Sequence, residues 1–318
     1  METVAGNIFC FDREVSLMKW IQSNLGRSGQ AVFRALTYTG SEMAVLLLFL
    51  ILYFCYKKEA GKRVGLTAIA ASVWCPMIKN AVCRLRPYMA HAGEIECLEP
   101  VSREGDLMNV RLQGYSFPSM HSTIGVIMYG DTARILKKRW ASVAGIILPF
   151  LIGISRIALG VHYPTDVLAG WAIGAVTIGL AILLEKKIRN ESIRYLILLA
   201  TAIPGIFFCT GAEYFTSLGL LAGMTVTFPF ERKHVNFADT RRLLAMALRV
   251  AGGGILYYLG NMLLKIPFSS AYLAGGTLGA NLVRTGRYML LVFLIAGVYP
   301  MCFRFFEKKW PRAFGDGK

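Results

Sequence analysis

Residues 139–187 read RWASVAGIILPFLIGISRIALGVHYPTDVLAGWAIGAVTIGLAILLEKK. Two apolar runs, 142–160 and 165–184, are parted only by a turn around 160–164, and each approaches the ~20 residues that an α-helix needs to cross a hydrocarbon core. Basic residues stand at both far ends: Arg134, Lys137, Lys138 and Arg139 before the first run, Lys186, Lys187 and Arg189 after the second. Such clusters resist translocation, so the stretch reads as a helical hairpin with both ends in the cytoplasm and its turn outside.

Working outward on the same rule gives nine spans, at roughly 40–56, 64–84, 120–136, 142–160, 165–184, 193–210, 213–230, 243–264 and 286–305. The other basic clusters, Lys57/Lys58/Lys62/Arg63, Arg232/Lys233/Arg241/Arg242 and Arg304/Lys308/Lys309, all fall on the cytoplasmic side of that layout. The loop 86–118 and the N-terminus are then outside and the C-terminus inside. Residues 6–26 interleave Ile8, Phe9, Val15, Met18, Ile21 and Leu25 with Asp12, Arg13, Glu14 and Lys19, the pattern of an amphipathic helix lying at the interface. The weakly apolar stretch 267–285 reads as re-entrant or interfacial, because a span there would put Arg304, Lys308 and Lys309 outside. The fold expected is an all-α polytopic membrane bundle. The charge run Glu185–Asn190 divides it into a five-span core with its interfacial helix (1–188) and an accessory region of about four spans (189–318).

Composition agrees: 55% of the 318 residues are hydrophobic and 17% charged, against about 45–50% and about 25% in soluble domains. The 35 Lys and Arg exceed the 19 Asp and Glu by 16. In a bundle of this kind the excess reports topology rather than a nucleic-acid partner. Seven scattered cysteines, at 10, 55, 75, 83, 97, 209 and 302, show neither a disulfide framework nor metal-ligand spacing; only Cys83 and Cys97 are placed where they could pair. The first twenty residues, with Glu2, Asp12, Arg13 and Glu14, do not read as a cleaved signal peptide.

The outer face should be poor in basic residues, yet Lys79, Arg84, Arg86 and Arg156 all fall at span ends there. Each alone is explained by snorkelling; together with histidines they call for another reason. His121 follows Pro118-Ser119-Met120, where a turn leads directly into an apolar helix, so that the amides of Ser119, Met120 and His121 can face an anion. His162 lies four residues before Asp166, a spacing at which a carboxylate can fix the imidazole tautomer and leave the other nitrogen free to attack.

In order, the residues form Lys79-x6-Arg86-Pro87, then Pro118-Ser119-Met120-His121, then Ser155-Arg156-x5-His162-x3-Asp166. This strongly resembles the three-part signature of the type 2 phosphatidic acid phosphatase superfamily, with Met120 standing where many members have glycine. The resemblance implies phosphate binding by Lys79, Arg86, Ser119, Met120 and Arg156, a His162 nucleophile oriented by Asp166, and His121 as general acid and then base. Tyr115 and Ser155 are candidates to shape the cradle or to be packed helix-end residues.

A phosphate monoester carries about two negative charges near neutral pH, so attack on it needs cations around its oxygens, and the three cations provide them without a metal or other cofactor. The reading is therefore a lipid phosphatase acting through a phosphohistidine on the non-cytoplasmic face, with the bilayer and a lipid phosphate or pyrophosphate as partners and no oligomeric state assigned. Undecaprenyl pyrophosphate, phosphatidate, phosphatidylglycerol phosphate and sphingoid-base phosphates are the candidate substrates. The core layout is similar to that of bacterial undecaprenyl pyrophosphate phosphatases, which implies a bacterial cytoplasmic membrane. A lipid transporter or flippase would use the same cradle only to bind. The acidic residues Glu94, Glu96, Glu99, Glu104 and Asp106 make the outer loop either a solvated segment or a lid.

Overall fold

The computed structural model describes residues 6–99, 107–303 and 305. Among them the regular elements are helices, with one isolated bridge between Asn7 and Arg84. In chain order they are α1 (Asp12–Asn24), α2 (Arg27–Tyr38), α3 (Glu42–Ile51, continued by a wide turn Leu52–Tyr56), α4 (Lys58–Val82), and the short α5 (Pro87–Ala90) and α6 (Val110–Gln113). Next come α7 (Met120–Gly125), which runs through a wide turn Val126–Asp131 into α8 (Thr132–Leu136), then α9 (Arg139–Ala158) and α10 (Pro164–Lys187). The last are α11 (Glu191–Ala202, ending in the tight turn Ile203–Phe207), α12 (Ala212–Phe230), α13 (Leu243–Leu263), α14 (Ser270–Ala274) and α15 (Leu278–Val292, continued by Phe293–Val298).

All nine drawn segments are helical over most of their length. Among the described residues, four helices are each long and apolar enough to cross a membrane: α9, α10, α13 and Leu278–Phe303. A bent pair, Arg27–Tyr38 with Glu42–Tyr56, makes a fifth. The chain is a multi-pass membrane protein. The other drawn segments, on α4, α7–α8, α11 and α12, are shorter or carry more polar residues. α4 illustrates why: Val64, Ala68, Ala70, Ala71, Val73 and Cys75 are all buried, so protein rather than lipid covers much of it, and only a lipid-facing helix must be apolar all round.

Two expectations need correction. The span drawn at 40–56 is the second arm of a helix pair bent by 45°, and its first arm, α2, was not foreseen. The last span was drawn too short: its helix begins at Leu278, not at 286, and the stretch 267–285, expected to be re-entrant or interfacial, holds α14 and the first turns of α15. The stretch 6–26 holds a helix, α1, with Leu17 and Trp20 exposed and Glu14 and Met18 buried.

The chain forms two compact units. The first contains α1, α2, the end of α4 from Trp74, and α5 to α10 as far as Ala181. In it α10 lies backbone-close to α7, since a Cβ on Gly170 would stand 2.6 Å from the Ser119 carbonyl oxygen and one on Gly174 2.8 Å from that of Thr123. Trp171 Nε1 donates to the Pro149 carbonyl at 3.1 Å, tying α10 to α9. The turn between α9 and α10 requires Gly160, whose φ is +76° and whose Cβ would sit 2.1 Å from the Glu96 carbonyl oxygen. α1 is seated by Met18 against Ile95, Ile157, Tyr163 and Val167. Asp131, a buried carboxylate, pairs with Arg134 at 2.7 Å.

The second unit contains α3 from Leu46, α4 up to Val73, and α11 to α15, with the residues beyond Ile182 that join them, save 208–211. Gly219 and Gly223 bring α12 against α15 at the carbonyls of Thr285 and Met289. Tyr53 donates to the Ala296 carbonyl at 2.9 Å inside a cluster of Phe54, Phe228, Phe237 and Phe303. Glu231, fully buried, accepts from Lys58 at 3.0 Å and faces Lys62 at 3.2 Å. Arg249 is satisfied by the carbonyls of Phe54 and Ala238. His234 is exposed and stacks on Phe230.

Candidate active site

The first unit gathers the sequence-derived residues from four places: Lys79 at the end of α4, Arg86 just after it, Ser119 to His121 at the start of α7, and Arg156 to Asp166 across the α9–α10 turn. Lys79, Arg86, Arg156, His162 and Asp166 are buried, and the three cations all act electrostatically on His162 and His121.

Both arginines are held by their surroundings. Arg86 donates from Nε and Nη2 to the Gln113 carbonyl at 3.1 and 2.7 Å, and from Nη1 to the Val161 carbonyl at 3.4 Å. Neutral carbonyls fix the guanidinium without cancelling its charge, which is what an anion cradle needs. Arg156 donates to the Thr37 hydroxyl at 2.7 Å and takes both carboxylate oxygens of Glu99. Burial alone would push the Glu99 carboxyl up, but Arg156, then Arg86 and Lys79, outweigh it and hold Glu99 below the usual carboxylate range.

His162 Nδ1 faces Asp166 Oδ2 at 3.4 Å, longer than an ordinary N–H···O bond. That oxygen also accepts the Tyr163 amide at 2.9 Å, and Oδ1 accepts Arg84 Nη1 at 2.7 Å. Burial first, then Arg86, Arg156 and Lys79, push the His162 imidazole well below the usual histidine value. It is therefore neutral at neutral pH, the state in which a ring nitrogen can attack.

At the head of α7, Ser119 caps the helix: its hydroxyl accepts from the Ser122 amide at 3.5 Å and the Ser122 hydroxyl at 2.9 Å. Its amide donates to the Asp166 carbonyl at 3.0 Å. Of the three amides expected to face an anion, that of Ser119 is thus committed to joining the two motifs. His121 is half-buried, beside Gly40 and Ile152.

The two supporting candidates lie in other contexts. The Ser155 hydroxyl donates to the Ile152 carbonyl one turn back in its own helix, at 2.7 Å. The Tyr115 hydroxyl pairs with the Cys83 thiol, which with burial raises its pKa. Cys83 and Cys97 are both free thiols. In the outer loop Glu94 reaches Lys19, Glu96 is exposed and Glu99 turns inward; Glu104 and Asp106 lie outside the described residues, as do Arg304, Lys308 and Lys309 in the C-terminal basic cluster.

Four residues entered the site without being assigned to it: Arg84, Glu14, Thr37 and Glu99. Arg84 had stood out only as a stray cation at a span end. Glu14 carried a signal, since it lies four residues before Met18 and therefore on the buried face of α1.

The sequence matches the PAP2 superfamily over residues 60–190, and the transmembrane extension of PAP2 superfamily phosphatases over 215–309. It is 31% identical over 176 residues to a decaprenylphosphoryl-5-phosphoribose phosphatase of Mycobacterium tuberculosis, covering 52% of this chain and 86% of that one. It is 29% identical over 137 residues to an undecaprenyl-diphosphatase of Sulfolobus acidocaldarius, covering 43% of this chain and 61% of the relative's length. A phosphatidylglycerophosphatase B of Bacillus subtilis is 28% identical over 173 residues, covering 50% and 76%. The chain belongs to the PAP2 superfamily. No solved structure matches it.

Proposed function

We propose that this protein is an integral membrane phosphatase that removes phosphate from a lipid phosphate or pyrophosphate, through a phosphohistidine, on the non-cytoplasmic face of a bacterial membrane. The observation that carries the reading is a buried His162 that faces the Asp166 carboxylate at 3.4 Å and lies within the field of Lys79, Arg86 and Arg156. A site built only to bind phosphate needs the cations but not a neutral nucleophile with an oriented partner.

The substrate phosphoryl group takes the place of the Glu99 carboxylate on Arg156, with Arg86 and Lys79 on its other oxygens. His162 Nε2 attacks phosphorus, forming a P–N bond as the P–O bond to the lipid breaks. His121, charged once the anionic phosphate is seated beside it, gives its proton to the departing oxygen. Asp166 holds the Nδ1 proton and the positive charge that grows on the ring. His121, now neutral, takes a proton from water, which attacks phosphorus; the P–N bond breaks and inorganic phosphate leaves. The three cations stabilise charge on the equatorial oxygens in both steps.

The basic clusters on alternate loops support a site outside the cytoplasm, where a lipid keeps its tail in the bilayer while its phosphate enters the cradle. Undecaprenyl pyrophosphate, phosphatidate, phosphatidylglycerol phosphate and sphingoid-base phosphate all meet that description. Residues 189–318 form an accessory membrane region to the catalytic core.

The test is phosphate release by detergent-purified protein in EDTA from each of these lipids, beside a His162→Ala variant. Release in EDTA that falls by more than about 1,000-fold in the variant is the expected result. No release by folded protein from any of them, or lipid flux that survives His162→Ala, overturns the reading in favour of transport.

A further inference from the structure

Arg84 is the largest fully buried side chain among the described residues, and its charge is shared between two carboxylates. Nη1 donates to Asp166 Oδ1 at 2.7 Å and to the Thr165 hydroxyl at 2.7 Å, while Nη2 donates to Glu14 Oε2 at 3.0 Å. Nε takes the Phe9 carbonyl at 2.9 Å, and the guanidinium lies 3.9 Å from the centre of the Tyr163 ring and 4.4 Å from that of Phe9. Glu14 Oε1 in turn accepts from both the amide and the hydroxyl of Thr165, at 2.8 and 2.7 Å. Arg84, Glu14 and Asp166 are all buried, so these charges meet one another largely out of water. A buried group of this kind is costly to assemble, and simpler packing would seat α1.

We infer that Glu14 and Arg84 are positioning residues for the proposed reaction: they set how much negative charge Asp166 presents to His162. This inference rests on the phosphatase reading above. The three groups carry one net negative charge, two carboxylates against one guanidinium. Glu14 draws part of the Arg84 charge to itself. Asp166 is thereby left a strong enough anion to orient His162 and to support the positive charge that forms on it during attack. The amphipathic helix α1 thus supplies, through Glu14, a group on which the nucleophile depends. The other charged and titratable groups facing His162 are Lys79 from α4, Arg86 after it, His121 from α7 and Arg156 from α9, with Glu99 paired to Arg156. None of them belongs to this cluster, so its charge can be changed without touching the cradle.

The experiment follows the His162 ring by NMR of histidine-labelled protein in detergent, together with kcat and KM for phosphate release, in wild type, Glu14→Gln and Glu14→Gln/Arg84→Gln. Glu14→Gln keeps the shape and brings the cluster from −1 to neutral. The expected result is a His162 titration midpoint about 0.5–1 pH unit lower, with kcat down about tenfold and KM unchanged. The double variant restores the net charge of −1, and the midpoint returns toward that of wild type even though two more hydrogen-bonding groups are gone. A role in packing alone predicts the opposite order, with the double variant the more damaged and no return of the midpoint. An unshifted midpoint in Glu14→Gln, or failure of that variant to fold, overturns the inference. Wild-type protein that releases no phosphate overturns the phosphatase reading instead, so the two failures are told apart.

Discussion

Arg156 binds Glu99 through both ends of its guanidinium: Nη1 meets Oε1, and Nη2 donates to Oε2 at 2.9 Å. This is the geometry in which arginine holds a phosphate, and Glu99 is also within the field of Arg86 and Lys79. On the proposed function, the carboxylate stands in the cradle as a resident anion that an incoming phosphate must displace. Replacing Glu99 with Gln is expected to tighten competitive inhibition by inorganic phosphate about tenfold, in line with the loss of one charge-assisted contact. Inhibition constants for the two proteins check this, and an unchanged or weaker constant would contradict it. The pairing cations keep Glu99 ionised well below neutral pH, so the difference persists at pH 6.

His162 should titrate below the model-compound value of 6.5, because burial and three cations disfavour its charged form. A histidine whose pKa is depressed gains its proton only as pH falls past that lowered value, so the neutral nucleophile persists through pH 6.5. The chain has only four histidines, and NMR of labelled protein, assigned with His162→Ala, reads the midpoint directly. A midpoint at or above 6.5 in the substrate-free protein would refute this account of the site.

The close approach of α10 to α7 is tested at Gly170. A methyl there meets the Ser119 carbonyl oxygen at 2.6 Å, and backbone cannot yield as a side chain can. Gly170→Ala is expected to cost about 1–3 kcal/mol and to lower kcat, because the strain falls on the bond between Ser119 and Asp166. Gly179→Ala, where nothing lies within 4 Å, should be neutral or mildly stabilising. Thermal midpoints in one detergent compare the two, and equal effects would remove the packing argument.

In the second unit, Glu231 is a buried acceptor facing Lys58 and Lys62. Glu231→Gln takes the carboxylate from Lys58 and leaves Lys62 with Glu59 alone, at 3.0 Å, and should destabilise the protein by about 3 kcal/mol. Denaturant or thermal unfolding measures it. A stability unchanged from wild type would show that the lysines reach water or headgroups instead.

The membrane helices and the three motifs were legible because their signals are local: apolar runs bounded by basic residues, and cations and histidines at fixed spacing. Other features were hidden for physical reasons. α2 carries Arg27 and Arg34, and α15 opens through a stretch with glycines at 275, 276 and 279, so neither helix start resembles a lipid-facing run. Glu99 and Glu14 lie 57 and 70 residues from their arginines, and no local pattern announces a partner at that distance. Ser119 was expected in the cradle; that its amide joins Asp166 instead depends on the approach of two helices, which spacing along the chain does not encode.

The central claim is that phosphorus becomes bonded to His162. The most direct measurement is mass spectrometry of protein quenched in alkali during turnover of a lipid phosphate, conditions under which a phosphohistidine survives. The account predicts phosphate on the peptide containing His162 in wild type, more of it when His121→Ala slows hydrolysis, and none in His162→Ala. Phosphate release at the full rate with no labelled His162 peptide, in protein whose turnover continues to the moment of quenching, would contradict it and point to direct attack by water.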